Sequence, residues 1–114
     1  MQFEVIWSKD GVPGSVTHPA PLNIDPGCQG SIINQMGTLY TSNANNTHSR
    51  SHMAVKISKD QGKTWPGGVS VWAGPSAYSQ LVSLGEAANV GVLFEAGAKQ
   101  AYETISFAVV KVPA

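Results

Sequence analysis

The chain is expected to be all-β, an assembly of short antiparallel strands, and three observations carry that expectation. Apolar and polar residues alternate with a period of two in several stretches, most cleanly where Met53, Val55 and Ile57 share one strand face and His52, Ala54, Lys56 and Ser58 the other. Strand-like runs recur at intervals of ~8–12 residues between Gly-, Pro-, Asn- and Ser-rich breaks, and no stretch holds a sustained helical period. A turn sequence spanning Ser58 to Trp65 begins in the same way as Ser8-Lys9-Asp10-Gly11, about fifty residues earlier.

Composition narrows what such a domain can do. With 114 residues, 42% of them apolar, one small domain with a real core is within reach. Seven acidic residues balance seven basic ones and only 12% of residues are charged, so no field draws in nucleic acid or an anionic membrane. The single cysteine, Cys28, has no intrachain disulfide partner and reads as a small buried apolar residue. No apolar run reaches the length of a membrane-spanning segment or a signal peptide. Arg50 is the sole arginine.

Taken in order, Phe3 to Trp7 is a short strand, rich in β-branched and aromatic residues, that ends in the turn chemistry of Ser8 to Gly11. The stretch from Val12 to Gly30, with four prolines and no periodicity, reads as a long connection. Ser31–Asn34 and Thr38–Thr41 form a hairpin around a turn at Gln35-Met36-Gly37, and a polar loop follows from Ser42 to Ser49. The alternation then returns three times, through Met53, Val55 and Ile57, through Val69, Val71 and Ala73, and through Ile105, Phe107 and Val109. Gly74-Pro75 reads as a turn that delivers Tyr78 to the mouth of a new apolar strand, and the next strand ends on Glu95.

Strands of this kind suit a sandwich, a barrel or a propeller, and the repeat chooses among them. Ser58-Lys59-Asp60-Gln61-Gly62-Lys63-Thr64-Trp65 has the form S-x-D-x-G-x-T-W, and its distance from the degenerate copy at 8–15 is near the ~40–50 residues of one four-stranded propeller blade. The motif works as a turn: Ser58 and Asp60 can hydrogen-bond turn backbone, Gly62 can take a positive φ and Trp65 can pack beneath. Asp60 is therefore a structural carboxylate. At ~45 residues per blade, residues 1–114 amount to about two to two and a half blades, a partial β-propeller.

Read alone, Tyr78 is a strand-capping phenol with its hydroxyl in water, and Glu95 marks where the next strand surfaces. The surrounding sequence changes that reading. Ser58–Trp65 matches the Asp box of sialidases, and Trp72-Ala-Gly-Pro-Ser-Ala-Tyr78-Ser-Gln-Leu81, Val92-Leu-Phe-Glu95 and Tyr102-Glu-Thr-Ile-Ser106 resemble the C-terminal part of animal sialidases, the lysosomal type most closely. Pro26–Ile32 agrees, as does Tyr40-Thr-Ser-Asn43 leading through Thr47-His-Ser to Arg50.

The resemblance implies a six-bladed β-propeller and a retaining exo-α-sialidase. Such an enzyme releases terminal sialic acids from glycoproteins, gangliosides and oligosaccharides with a tyrosine nucleophile. A neutral phenol suits this substrate because the reacting carbon bears a carboxylate that would repel a charged nucleophile. By resemblance Tyr78 is that nucleophile, Arg50 is the third of three arginines that bind the substrate carboxylate, and Glu95 supports the first of them. The expected partner is a sialylated glycoconjugate. No cofactor or metal is expected, and the compartment implied is the lysosome, with cytoplasm or a membrane surface as alternatives.

The chain also departs from the family pattern. The first arginine, the acid/base aspartate and the base glutamate belong to the family's N-terminal blades, and the place of the second arginine, before Ser8, holds Met1–Trp7 with no arginine. A phenol with pKa near 10 needs a base beside it, so the chain is expected to be a C-terminal portion, inactive alone, whose open blade edges favour self-association. The alternative is a non-catalytic Asp-box module or a decayed remnant that binds glycans or partners. His48 and His52 flank Arg50 without an evident third ligand and are not read as a metal site. Asn45-Asn46-Thr47 is an N-glycosylation sequon, but a glycan there would stand five residues from Arg50.

Overall fold

A computed structural model describes residues 2–7, 16–86 and 89–111. Its strands are β1 (Gln2–Trp7), β2 (Val16–Ile24), β3 (Ser31–Gln35), β4 (Thr38–Ala44), β5 (Ser51–Ser58), β6 (Gly67–Glu86), β7 (Asn89–Ala96) and β8 (Thr104–Lys111). The ladders β1–β2 and β3 through β8 are antiparallel throughout, and the second is a six-stranded sheet in sequence order.

The sheet curls because β6 changes partners. Residues Gly67–Pro75 pair with β5, and Ser76–Glu86 pair with β7. The result is a four-stranded unit, β3-β4-β5 with the first half of β6, joined to a three-stranded unit made of the second half of β6 with β7 and β8. The two units pack on each other. Tyr40, Met53, Val55 and Ile57 of the first meet Leu81, Val90, Val92, Phe94 and Val110 of the second in one buried cluster. The face carrying Met53, Val55 and Ile57 is thus the core face that the alternation foretold.

Polar side chains fasten the two units together. Gln35 is buried, and its Nε2 donates to the carbonyls of Glu86 (2.5 Å) and Asn89 (2.9 Å), while its Oε1 accepts from Ser83 Oγ (2.7 Å) and Leu84 N–H (3.0 Å). Every hydrogen-bonding position of the amide is therefore used. Ser42 Oγ and Ser79 Oγ lie 2.8 Å apart, and Leu81 N–H donates to Ser31 Oγ at 3.0 Å.

Several expectations require correction. The connection expected over residues 12–30 contains β2, despite Pro19 and Pro21: among the described residues β2 pairs with β1 alone, and proline is tolerated on an edge that serves no second strand. Gln35 belongs to β3, leaving Met36 (φ 54°) and Gly37 (φ 86°) as a two-residue hairpin turn with positive φ at both positions. The polar loop starts after Ala44, because Ser42 and Asn43 are buried strand residues, Asn43 donating to the Ile24 carbonyl (2.7 Å) and to Asp25 Oδ2 (3.0 Å).

Gly74-Pro75 is no turn. The backbone runs extended through it, since the φ of proline fits a strand and the missing N–H falls where β6 leaves one partner for the next. In β8 the alternation holds, but Ile105, Phe107 and Val109 face outward and Val110 is the buried residue. With Val82 and Leu93 they form an exposed apolar face on the three-stranded unit.

The turn at 58–65 is closed by its own polar side chains. Ser58 Oγ donates to Asp60 Oδ1 (2.8 Å) and accepts from Gly62 N–H (2.9 Å), and Thr64 gives its N–H to Asp60 Oδ1 (2.9 Å) and its hydroxyl to Oδ2 (2.5 Å). These donors, the Thr64 hydroxyl first, hold the Asp60 carboxyl down from its ordinary 3.8 to about 2. Gly62 takes φ 89° and Trp65 is buried. The partial copy at 8–15 lies outside the described residues.

Candidate functional site

The partner change in β6 assembles the site. Arg50 ends the loop before β5, and its carbonyl accepts the N–H of Ser76 at 3.0 Å, so its backbone is pinned where β6 turns from one unit to the next. Tyr78 follows on the same strand, 47% exposed. The Arg50 guanidinium carbon stands 5.7 Å from the centre of the Tyr78 ring, within cation–π range.

Glu95 approaches from β7. Its Oε1 accepts the backbone N–H of Tyr78 at 3.0 Å, in place of a regular ladder bond where the β6–β7 register shifts between Ser76 and Ser79. The structure thus brings Arg50, Tyr78 and Glu95 together. Tyr78, Glu95, Gln29, Leu93 and Ile105 line an open pocket of about 170 Å³.

One residue of the site entered the sequence reading only as the start of a resembling stretch, Tyr102–Ser106, and was given no role there. Arg50 Nη1 donates to the Tyr102 hydroxyl at 2.6 Å, and Tyr102 lies in the loop between β7 and β8. That bond is the main reason the guanidinium is held above its ordinary pKa. The loop is itself braced. Glu103 Oε2 accepts the N–H groups of Lys99 (2.6 Å) and Gln100 (2.7 Å), which lowers the Glu103 pKa, and Gly97 N–H donates to the Pro75 carbonyl (3.1 Å). A Cβ at Gly97 would collide with the Gln100 carbonyl and the Glu103 carboxylate, so glycine is required there. Trp72 lies over Gly74 and its Nε1 donates to the Gly97 carbonyl at 3.3 Å.

Chemically, the site offers a cation and a phenol side by side on the surface. Among the described residues no carboxylate pairs with Arg50, so its remaining N–H groups are open to an anion, and a planar guanidinium favours a carboxylate. Cys28 is buried close by with Ala77 and Ala101, and burial raises its thiol pKa while the Arg50 charge works against the shift. His52 sits at φ 63° beside the Ser51 hydroxyl (2.8 Å), and Asn45 Oδ1 accepts from Lys56 Nζ (3.0 Å). Among the described residues no three of His, Cys, Asp and Glu lie together as a metal site would need.

No protein-family model matches the chain. The chain is 36% identical over 64 residues to human Sialidase-4, a match that spans 51% of this chain and 13% of that protein. Among solved structures it is similar to the Hadza microbial sialidase Hz136, with a TM-score of 0.66 and 27% identity, over 86% of this chain and 21% of the other. It therefore spans less than a quarter of either relative. These likenesses relate the chain to sialidases and match its curled antiparallel sheet to part of a sialidase propeller.

Proposed function

We propose that the chain supplies the nucleophile side of an exo-α-sialidase site, one that releases terminal sialic acids from glycoconjugates with retention. The observation that carries the reading is the Arg50 guanidinium held 5.7 Å from the Tyr78 ring and free of any carboxylate partner among the described residues. A substrate carboxylate paired with Arg50 would bring the carbon that bears it toward the phenol. Tyr78 oxygen would form the bond to that carbon as the aglycone departs, and water would then release the sugar from the tyrosyl adduct. Glu95 holds the backbone of the nucleophile, and its second oxygen suits it to orient a cation from elsewhere in a complete site. The sequence resemblance makes lysosomal turnover of gangliosides and oligosaccharides the setting we favour.

A phenol requires a base to react at neutral pH, and no described carboxylate is hydrogen-bonded to the Tyr78 hydroxyl. The chain alone is therefore expected to show no turnover of a fluorogenic sialoside, and turnover comparable to that of a complete sialidase would contradict the reading. A chimaera in which this chain replaces the matching segment of the microbial sialidase supplies the positive test. It is expected to cleave the sialoside, with Tyr78→Phe lowering kcat by at least about a hundredfold. Equal activity of the tyrosine and phenylalanine chimaeras would remove Tyr78 from the reaction.

A further inference from the structure

We propose that Tyr102 is part of the anion-binding subsite, orienting the Arg50 guanidinium and donating its own hydroxyl proton to the ligand carboxylate. The proposal rests on the reading of Arg50 as a carboxylate anchor and extends it to a residue on another loop.

Three features carry it. The 2.6 Å bond from Arg50 Nη1 uses a lone pair of the Tyr102 oxygen, so the phenolic proton is left for a different acceptor. Tyr102 is 58% exposed, so its ring is not placed there by burial in the core. The loop that presents it is built for the purpose: the two Glu103 contacts close it, Gly97 ties it to β6 just ahead of Tyr78, and the Trp72 indole bonds the same glycine.

The chemistry of the partner matters as much as its position. A carboxylate at this place would also orient Arg50, but it would neutralise the cation and compete with an incoming anion. A phenol fixes one N–H of the fork and leaves the charge available. Arg50 and Tyr102 together offer N–H and O–H donors within one hydrogen bond of each other, as suits a carboxylate bound by two oxygens.

The test uses the whole 114-residue chain with N-acetylneuraminic acid and its methyl ester as probes. Because Arg50 is the sole arginine, its guanidinium signals in a ¹⁵N NMR spectrum are unambiguous. The unaltered chain is expected to prefer the acid to the ester. Tyr102→Phe, with an otherwise unchanged amide spectrum, is expected to weaken binding of the acid about tenfold, leave the ester unaffected and collapse the resolved guanidinium signals as the group rotates freely. Unchanged affinity for the acid in Tyr102→Phe, alongside its loss in Arg50→Ala, would overturn the role of Tyr102 and leave Arg50 as the anchor. Equal binding of acid and ester by the unaltered chain would instead overturn the carboxylate reading of Arg50, and this assignment with it.

Discussion

The Glu95 carboxylate accepts the backbone N–H of Tyr78 at 3.0 Å, so it acts on the strand that carries the phenol. Glu95→Gln keeps an acceptor oxygen at this position and is expected to leave the Tyr78 amide resonance close to its original place. Glu95→Ala strands the N–H in a register shift with no ladder partner. It should accelerate hydrogen exchange of the Tyr78 amide and destabilise the chain by about 1 kcal/mol in a denaturant melt. Equal exchange rates in the two variants would show that Glu95 does not hold this strand.

The turn at 58–65 links stability to pH through Asp60. Its carboxyl is held at about 2 in the folded chain against an ordinary 3.8. A depressed carboxylate contributes stability that is fully present above the unfolded value and is lost as pH falls through the folded one. Melting temperatures are therefore expected to fall as pH drops below about 4, with the Asp60 share gone below about 2. In Asp60→Asn this part of the slope should disappear. A variant with the same acid profile as the unaltered chain would place the sensitivity elsewhere.

Gln35 bonds the β6–β7 connection from the edge strand of the other unit. Gln35→Ala is expected to cost about 1–3 kcal/mol by leaving buried partners unpaired, and Gln35→Glu to be no better because Nε2 donates to two carbonyls. Urea denaturation monitored by tryptophan fluorescence measures both. A loss below about 0.5 kcal/mol in each would mean that solvent replaces the amide without penalty.

The outward face of the three-stranded unit carries Val82, Leu93, Ile105, Phe107 and Val109, with Ile105 80% exposed. A contiguous apolar sheet face of this kind is expected to drive concentration-dependent self-association, and a lysine at Phe107 or Val109 to suppress it. Sedimentation velocity over a range of concentrations reads the result directly. A monomer throughout, for the unaltered chain and the lysine variants alike, would contradict it.

Local signals were legible where local physics decides the outcome. The alternation through Met53, Val55 and Ile57 named a core face, and the S-x-D-x-G-x-T-W residues supplied the donors and acceptors of their own turn. Gly74-Pro75 misled because the pair favours turns in general, whereas here it lies where a strand exchanges neighbours and needs no N–H. Gln35 was read as a turn residue because its partners are about fifty residues away. Tyr102 was noted only within the resembling stretch Tyr102–Ser106 and given no role, for a similar reason: an exposed tyrosine in a polar loop is ordinary until its hydroxyl meets Arg50.

The sequence by itself determined that the chain is β, where most of its strands run, and that Tyr78, Arg50 and Glu95 merited attention as a set by resemblance. Only the tertiary structure decided which face of β8 is buried, since both its faces carry apolar residues and only packing against β7 and the first unit separates Val110 from Val109. It also decided that Arg50, Tyr78 and Tyr102 converge. Their side chains meet because one long strand, β6, leaves β5 for β7 between Pro75 and Ser76, a change of partner that no local propensity encodes.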